Sequence, residues 1–200
     1  MRPNGVFGIL MEVYNRPVYR RALEAVDLPR GGRLFEIGFG TGACLAAFLE
    51  KRPDIEVAGV DPTPDMLRAA LAKPAIRRAG PRARLQLGTA QSLDWPDATF
   101  DAALAIHSFQ FWSPPEEGLH ETLRVLKPRG RLYLFLRDHS RGAPDWLPNP
   151  ISRGGDEPAD TMVAARRCGF AEAIEAPGKG STRLVIAAKS GGGLRTPPRS

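Results

Sequence analysis

The period of the hydrophobic positions changes repeatedly along this chain and divides it into short elements. Arg33–Ile37 is a brief apolar run that stops at glycines, and residues 41–51 have helical composition. Residues 55–60 are rich in β-formers, and Thr63 can cap a helix that begins with Pro64 and runs to about Lys73. Ala83–Leu87 alternates as a strand does, and residues 101–106 form another apolar run. Ser113-Pro114-Pro115-Glu116 fits a capping box with proline at the first helical position, and Leu119, Leu123 and Leu126 then fall on one helical face. Pro128 and Gly130 stop that helix, and residues 131–136 read as a buried strand. Strands alternating with helices at this spacing predict a parallel sheet with right-handed crossovers. After a helical stretch at 156–168, residues 171–176 and 183–188 flank Pro-Gly-Lys-Gly. That pair predicts a hairpin, and so an antiparallel strand on an otherwise parallel sheet.

Two segments fall outside this alternation. Residues 1–30 read as helical, broken near Asn15 and Pro17, with Phe7, Met11 and Tyr14 on one apolar face. Residues 190–200 (SGGGLRTPPRS) read as a flexible tail. The expected organisation is a leader at 1–30, one domain at 31–189 and a tail at 190–200. A chain of 200 residues can bury a sizeable core without staples.

The chemistry begins at Leu34–Gly42, LFEIGFGTG. A strand enters Gly38-Phe39-Gly40-Thr41-Gly42 and a helix leaves it. Glycines there let the backbone approach a ligand at a helix N-terminus. Two cofactors compete for such a loop. Gly38-x-Gly40-x-x-Ala43 also satisfies the dinucleotide fingerprint, and Asp61, closing the second strand, suits an adenosine ribose in either case. Glu36 separates them. A carboxylate two residues before the first glycine repels a pyrophosphate and suits a ligand with positive charge. The same carboxylate can instead be tied to loop N–H groups. S-adenosylmethionine (SAM), with its sulfonium and ammonium, matches that electrostatic demand.

On these residues the chain resembles the class I SAM-dependent methyltransferases, from about Arg33 to Ser190. Glu36-x-Gly38-x-Gly40-x-Gly42 matches the first motif of that family, and Asp61-Pro62-Thr63-Pro64-Asp65-Met66 its second. Gly88-Thr89-Ala90-Gln91-Ser92-Leu93, with Pro96-Asp97 and Phe100-Asp101, matches the third region. The stretch from Arg124 to Leu132 resembles the turn into strand five. The nearest likeness is to small-molecule and quinone-type methyltransferases. The resemblance implies a three-layer, Rossmann-like, seven-stranded, mostly parallel α/β sheet with an antiparallel C-terminal hairpin strand. It implies SAM as cofactor, contacted by Glu36, Gly38, Phe39, Gly40, Gly42, Asp61, Pro62, Met66, Thr89, Ala90, Gln91 and Ile106. Two departures stand out: Thr89 replaces an acid that often binds the adenine amino group, and Arg129 replaces a glycine of the strand-five turn.

Substrate chemistry belongs at the carboxyl ends of the strands. After the fourth strand come His107, Ser108, Phe109, Gln110, Phe111 and Trp112, an aromatic mouth suited to an apolar or flat acceptor. His107 is the candidate base, or else a histidine bonded to loop backbone. His139, after strand five, is a second polar candidate, whereas His120 sits among charged helix positions. Tyr14, Phe109, Trp112 and His139 make the expected substrate set. Leaders in the resembling family fold over the substrate opening, so residues 1–30 are either a lid carrying Tyr14 or simple packing. Ser113-Pro114-Pro115 is a helix cap here, since Glu116 stands where an amino-methylating nucleic-acid enzyme has an aromatic residue.

Net charge is 28 − 22 = +6, but Arg68, Lys73, Arg77, Arg78, Arg82 and Arg84 concentrate it between Met66 and Leu93, where no acid occurs. That stretch joins a helix to the next strand, on the face opposite the cofactor, so it reads as a solvated face and nucleic acid is not the expected partner. Cys44 and Cys168 have no metal spacing and no CxxC partner, so no metal site is expected and both should pack as small apolar residues. No targeting or membrane-spanning segment is visible, which leads to a cytoplasmic expectation. The function expected is in-line methyl transfer from SAM to a small molecule. The alternatives are an RNA or protein methyltransferase, a non-catalytic SAM-binding module and an NAD-dependent oxidoreductase. The acceptor, the atom methylated and the oligomeric state are open.

Overall fold

Val18, Ala22 and Val26 are each at most 9% exposed and recur every fourth residue. They give α1 (Asn4–Ala25) a buried stripe that continues past its last turn. The computed structural model describes residues 4–137, 157–177 and 182–191, with side chains for residues 12–137, 158–177 and 182–191. Phe7 and Met11 therefore lie outside the described side chains, and His139 and residues 192–200 lie outside the described residues. The expected break near Asn15 and Pro17 does not occur: α1 runs through Pro17. Proline removes one N–H donor, but the carbonyl it strands belongs to Val13, which is 52% exposed and open to water. Tertiary contacts hold the helix across this weak turn. Arg21 Nη1 donates to the Thr182 carbonyl at 2.6 Å, and Lys73 Nζ donates to Glu12 at 2.9 Å.

The remaining elements follow the predicted alternation. They are β1 (Arg33–Ile37), α2 (Ala43–Lys51), β2 (Glu56–Asp61), α3 (Pro64–Ala72), α4 (Pro74–Ala79), β3 (Ala83–Leu87), β4 (Phe100–Ile106), α5 (Pro115–Val125), β5 (Leu126–Arg137), α6 (Glu157–Arg167), β6 (Glu172–Ala176) and β7 (Thr182–Ala188). The seven strands lie in the order β3-β2-β1-β4-β5-β7-β6. The first five are parallel, and β7 runs antiparallel to both β5 and β6. The predicted hairpin therefore forms, and β7 inserts between β5 and the edge. Alternation along the strands separates two cores. Leu34, Leu104, Tyr133, Phe135 and Leu184 face α1 and α2; Phe35, Ala103, Leu132 and Val185 face α5 and α6.

Two expected boundaries shift for identifiable reasons. The capping box does not form: α5 starts at Pro115, with Pro114 at the cap position and no side-chain cap bond. Pro115 disfavours helical dihedrals at the residue before it, so Pro114 is extended at φ −74° and ψ 145° and the helix begins one residue late. Glu116 and Glu117 still complement the positive end of the helix. Likewise Leu126 opens β5 rather than closing the helix. Leu126 pairs with Phe100 and Arg131 with Ala102, so residues 127–130 bulge out of register with Arg129 at φ 68°.

The candidate cofactor cleft

Strand order reverses beside β1: β2 continues to one side and β4 to the other. In open α/β sheets that switch point opens a crevice outside the carboxyl ends of the strands. A cavity of about 420 Å³ lies there, within the range of small-molecule sites. Ile37 and Gly38 leave β1 into it, and Asp61, Pro62 and Thr63 leave β2. Gly88, Thr89, Ala90 and Gln91 form a wall after β3, and Ile106, His107, Ser108, Phe111 and Trp112 form another after β4.

The glycine loop needs its glycines for contact as well as for dihedrals. Gly38 has φ +78°, and a Cβ there would stand 2.4 Å from Ser108 Cβ. Its N–H donates to the Val60 carbonyl at 2.8 Å, while the Ser108 hydroxyl donates to the Ile37 carbonyl. The Ser108 side chain thus clasps the β4 loop to the β1 loop, in the space a Cβ on Gly38 would need. Gly42, at the N-terminus of α2, has φ +72°, and a Cβ would meet Ala70 Cβ at 2.7 Å, so α2 and α3 touch there.

Asp61 organises the floor. Its Oδ2 accepts the Gly40 N–H at 2.8 Å and its Oδ1 accepts the Thr63 N–H at 2.9 Å. The carboxylate is 6% exposed, more enclosed than a residue at an open strand end. It still borders the cavity and keeps lone pairs for further donors.

Glu36 lies beneath the loop, 2% exposed, with Oε2 lacking any hydrogen-bond partner. It is not tied to loop N–H groups through that oxygen. Burial, and then the neighbouring Asp61 charge, hold its pKa well above the ordinary carboxylate value. Burial and the Glu36 charge also raise the Tyr19 phenol, which takes a hydrogen bond from the Asn15 side chain. Asn15 Oδ1 is a second buried acceptor without a partner. α1 therefore lays Asn15 and Tyr19 near Glu36, where Asn15 Oδ1 and Glu36 Oε2 meet no hydrogen-bond donor among the described residues.

His107 is held from two sides. Arg137 Nη2 lies 3.2 Å from Nδ1, and Thr182 Oγ1 lies 3.2 Å from Nε2. Guanidinium can only donate, so Nδ1 accepts, Nε2 carries the proton, and the ring is neutral in this arrangement. A backbone at φ 52° turns the ring toward these partners.

Other expected residues sit differently. Phe39 is 4% exposed and packs into the core under α2, and Phe109 is 2% exposed with its ring 5.0 Å from that of Trp112. Neither side chain walls the cavity. Gly40 acts through its bond to Asp61, Gly42 through helix packing, and Met66 does not line the cavity. Tyr14 places its ring 5.8 Å from the Arg137 guanidinium carbon. Phe111, 60% exposed at the mouth, and Thr63 and Ser108 join the walls without having been singled out as contacts. Ser108 had a signal, its position directly after the fourth strand; Thr63 was read only as a helix cap. The basic 77–84 stretch, partly folded as α4, leads into the amino end of β3, at the edge opposite the cavity.

A seven-stranded sheet in this order, with a glycine loop and a ribose-type acid at its switch point, defines the class I methyltransferase fold. A family model for the methyltransferase domain matches residues 35–134, and the chain belongs to that family. It is 33% identical over 162 residues to the uncharacterized methyltransferase Rv3342 of Mycobacterium tuberculosis, covering 78% of this chain and 63% of that protein. It is 35% identical over 118 residues to the demethylmenaquinone methyltransferase of Deinococcus radiodurans, covering 58% of this chain and 48% of that one. The chain thus spans about half to two-thirds of the length of these relatives. A SAM-dependent methyltransferase of Aquifex aeolicus shares the fold with a TM-score of 0.70 at 19% identity, over 90% of this chain and 97% of its own. The chain is a methyltransferase by family, and no helix among the described residues is long and apolar enough to cross a membrane.

Proposed function

We propose that the cleft binds SAM and that its methyl group passes to a small organic acceptor entering past Trp112 and Phe111. The observation that carries this reading is the pairing of Asp61 with a buried, unpartnered Glu36 at one glycine loop. The first offers acceptors to ribose hydroxyls. The second, with Asn15 Oδ1, puts acceptors where a dinucleotide would bring pyrophosphate and SAM brings a cation, whose charge would draw Glu36 to its ionised form. The 420 Å³ volume, walled by the Gly38 backbone that Ser108 packs against, leaves room for the ligand.

Bound SAM would supply a methyl group already activated by a sulfonium. The protein then has to bind, orient and dry the reactants, which can supply most of the rate effect. Asp61 and the walls at Pro62, Thr89, Ala90 and Gln91 would hold the adenosine end, and Glu36 with Asn15 the cationic end. An acceptor held in line by these walls would give its lone pair to the methyl carbon as the carbon–sulfur bond breaks, with S-adenosylhomocysteine as the leaving group and any acceptor proton passing to solvent or a base. His107, neutral with Nδ1 occupied by Arg137, serves as a base only after that bond opens. The aromatic mouth and the quinone-type relative both favour an acceptor with a flat apolar body.

Thermal denaturation with added ligands tests the cofactor. SAM and S-adenosylhomocysteine should stabilise the protein by about 2.7 kcal/mol at 100 times Kd, and NAD and NADP should not. Equal stabilisation by NAD would overturn the assignment. Labelled methyl transfer from SAM into a metabolite extract tests the second half of the proposal.

A further inference from the structure

At the carboxyl edge of the sheet, under α1, lies a buried guanidinium that meets no carboxylate among the described residues. Arg137 ends β5, is 5% exposed, and pairs with no carboxylate among the described residues. Nη2 donates to His107 Nδ1, the Tyr14 ring lies 5.8 Å from Cζ, and Nε has no partner. Burial accordingly lowers its pKa, though a guanidinium stays charged. A buried charge without a counter-ion is costly, and among the described residues no carboxylate offsets this one. The placement is specific: Thr182 of β7 and His107, a wall of the cleft, fix one side, and α1 closes the other.

We propose that Arg137 is the anion-recognition residue of the acceptor site, so that the methyl acceptor carries a carboxylate or another negatively charged group. Guanidinium offers its remaining N–H groups in a fixed fork that matches a carboxylate, and a low-dielectric setting strengthens the pair. Tyr14 braces the cation while leaving its edge free. This rests on the reading of the cleft as a methyltransferase site.

The donor's own carboxylate is the competing source. Register argues against it. Glu36 is level with Leu104 and, through it, with Tyr133; Arg137 lies four residues further along β5. That is roughly 13 Å along the strands and 10 Å across them, whereas the ammonium and carboxylate of one amino acid lie on adjacent atoms.

The test uses the full chain saturated with S-adenosylhomocysteine and a matched pair of probes, benzoate and the neutral benzamide, at constant ionic strength. Benzoate should raise the Tm and benzamide should not. Arg137→Gln should remove the benzoate response, and Arg137→Lys should keep part of it. The Tm of Arg137→Gln without probes should equal or exceed that of the parent, which a merely structural arginine would not allow. Equal responses to the two probes in the parent, or an unchanged benzoate response in Arg137→Gln, overturn the proposal. In a second arm, Arg137→Gln is titrated with S-adenosylhomocysteine and with 5′-methylthioadenosine, which lacks the amino-acid end. Affinities within about twofold of the parent for both support the acceptor role. Selective weakening of S-adenosylhomocysteine by tenfold or more assigns the arginine to the donor carboxylate and overturns it. If the parent binds neither nucleoside, the methyltransferase reading fails, while the benzoate comparison still decides whether Arg137 binds anions.

Discussion

Asp61 joins two jobs in one side chain. It stitches Gly40 to Thr63 through two backbone N–H groups, and it faces the cleft. Asp61→Ala should therefore weaken SAM by about 2–4 kcal/mol and also destabilise the protein by roughly 2–4 kcal/mol, because it leaves two enclosed donors unpaired. Asp61→Asn should lie between the two, its amide oxygen accepting one bond. Urea denaturation and calorimetric titration of both variants read the two losses separately; an Asp61→Ala protein as stable as the parent would contradict the stitching role. Glu36 makes a pH prediction. Its folded-state pKa is raised by burial and by Asp61, so the fold favours the protonated form. The stability this gives is complete below the ordinary value of 4.5 and is lost as pH rises through the folded-state value. Glu36→Gln should thus be more stable than the ligand-free parent at pH 8 and indistinguishable from it near pH 4, while binding SAM more weakly at both the neutral and alkaline ends. Denaturation curves at the two pH values settle it: a parent that gains stability between pH 5 and 8 relative to Glu36→Gln would reverse the sign.

Among the elements, α1 has the most to say about function. It packs beside the cleft, with Glu12 against Thr41 and Lys73, Tyr14 against Arg137, and Asn15 and Tyr19 near Glu36, and is anchored to β7 through Arg21. Burial works against the charge on Glu12, but hydrogen bonds from Thr41 and Lys73 outweigh it and hold its pKa below the usual value. Removing residues 1–16 takes away the contacts over Glu36 and Arg137 and leaves Val18, Ala22 and Val26 in the core. The truncated protein should stay folded, bind SAM about tenfold more weakly through the loss of Asn15, and lose most transfer activity. Normal turnover would reduce α1 to packing. Pro17, exposed in the middle of this helix, gives an independent check. Pro17→Ala restores the donor to the Val13 carbonyl and should raise stability by about 1–2 kcal/mol, measured by urea denaturation.

For the molecule as a whole, charge and chemistry occupy opposite edges of the sheet. The cleft lies at the carboxyl ends, and the basic stretch before β3 lies at the amino ends, where Arg82 already donates to the Pro53 and Ile55 carbonyls. A nucleic acid held by that edge would not bring a base to the methyl group. Activity on a small acceptor should therefore depend weakly on ionic strength, and an added oligonucleotide should not inhibit it; strong inhibition relieved by salt would bring the edge into the substrate site.

The order of strands and helices, the hairpin at the end and the glycine loop with Asp61 were all legible in the chain itself, because each follows from local rules: apolar period, turn chemistry, and the glycines and acid that a ligand at a strand end requires. The placement of Phe111 and Trp112 at the cavity after the fourth strand was legible too, whereas Phe109 of the same run packs into the core. Other features depended on residues far apart in sequence. Nothing local says that α1 survives Pro17, since its partners are Lys73 and Thr182. Nothing local turns Phe39 inward, or locks His107 between Arg137 and Thr182. Arg137 is the sharpest instance. In sequence it is one arginine at a strand end among many basic residues; only the fold buries it with no carboxylate beside it among the described residues, because what surrounds a charge is set by packing across four separate segments of chain.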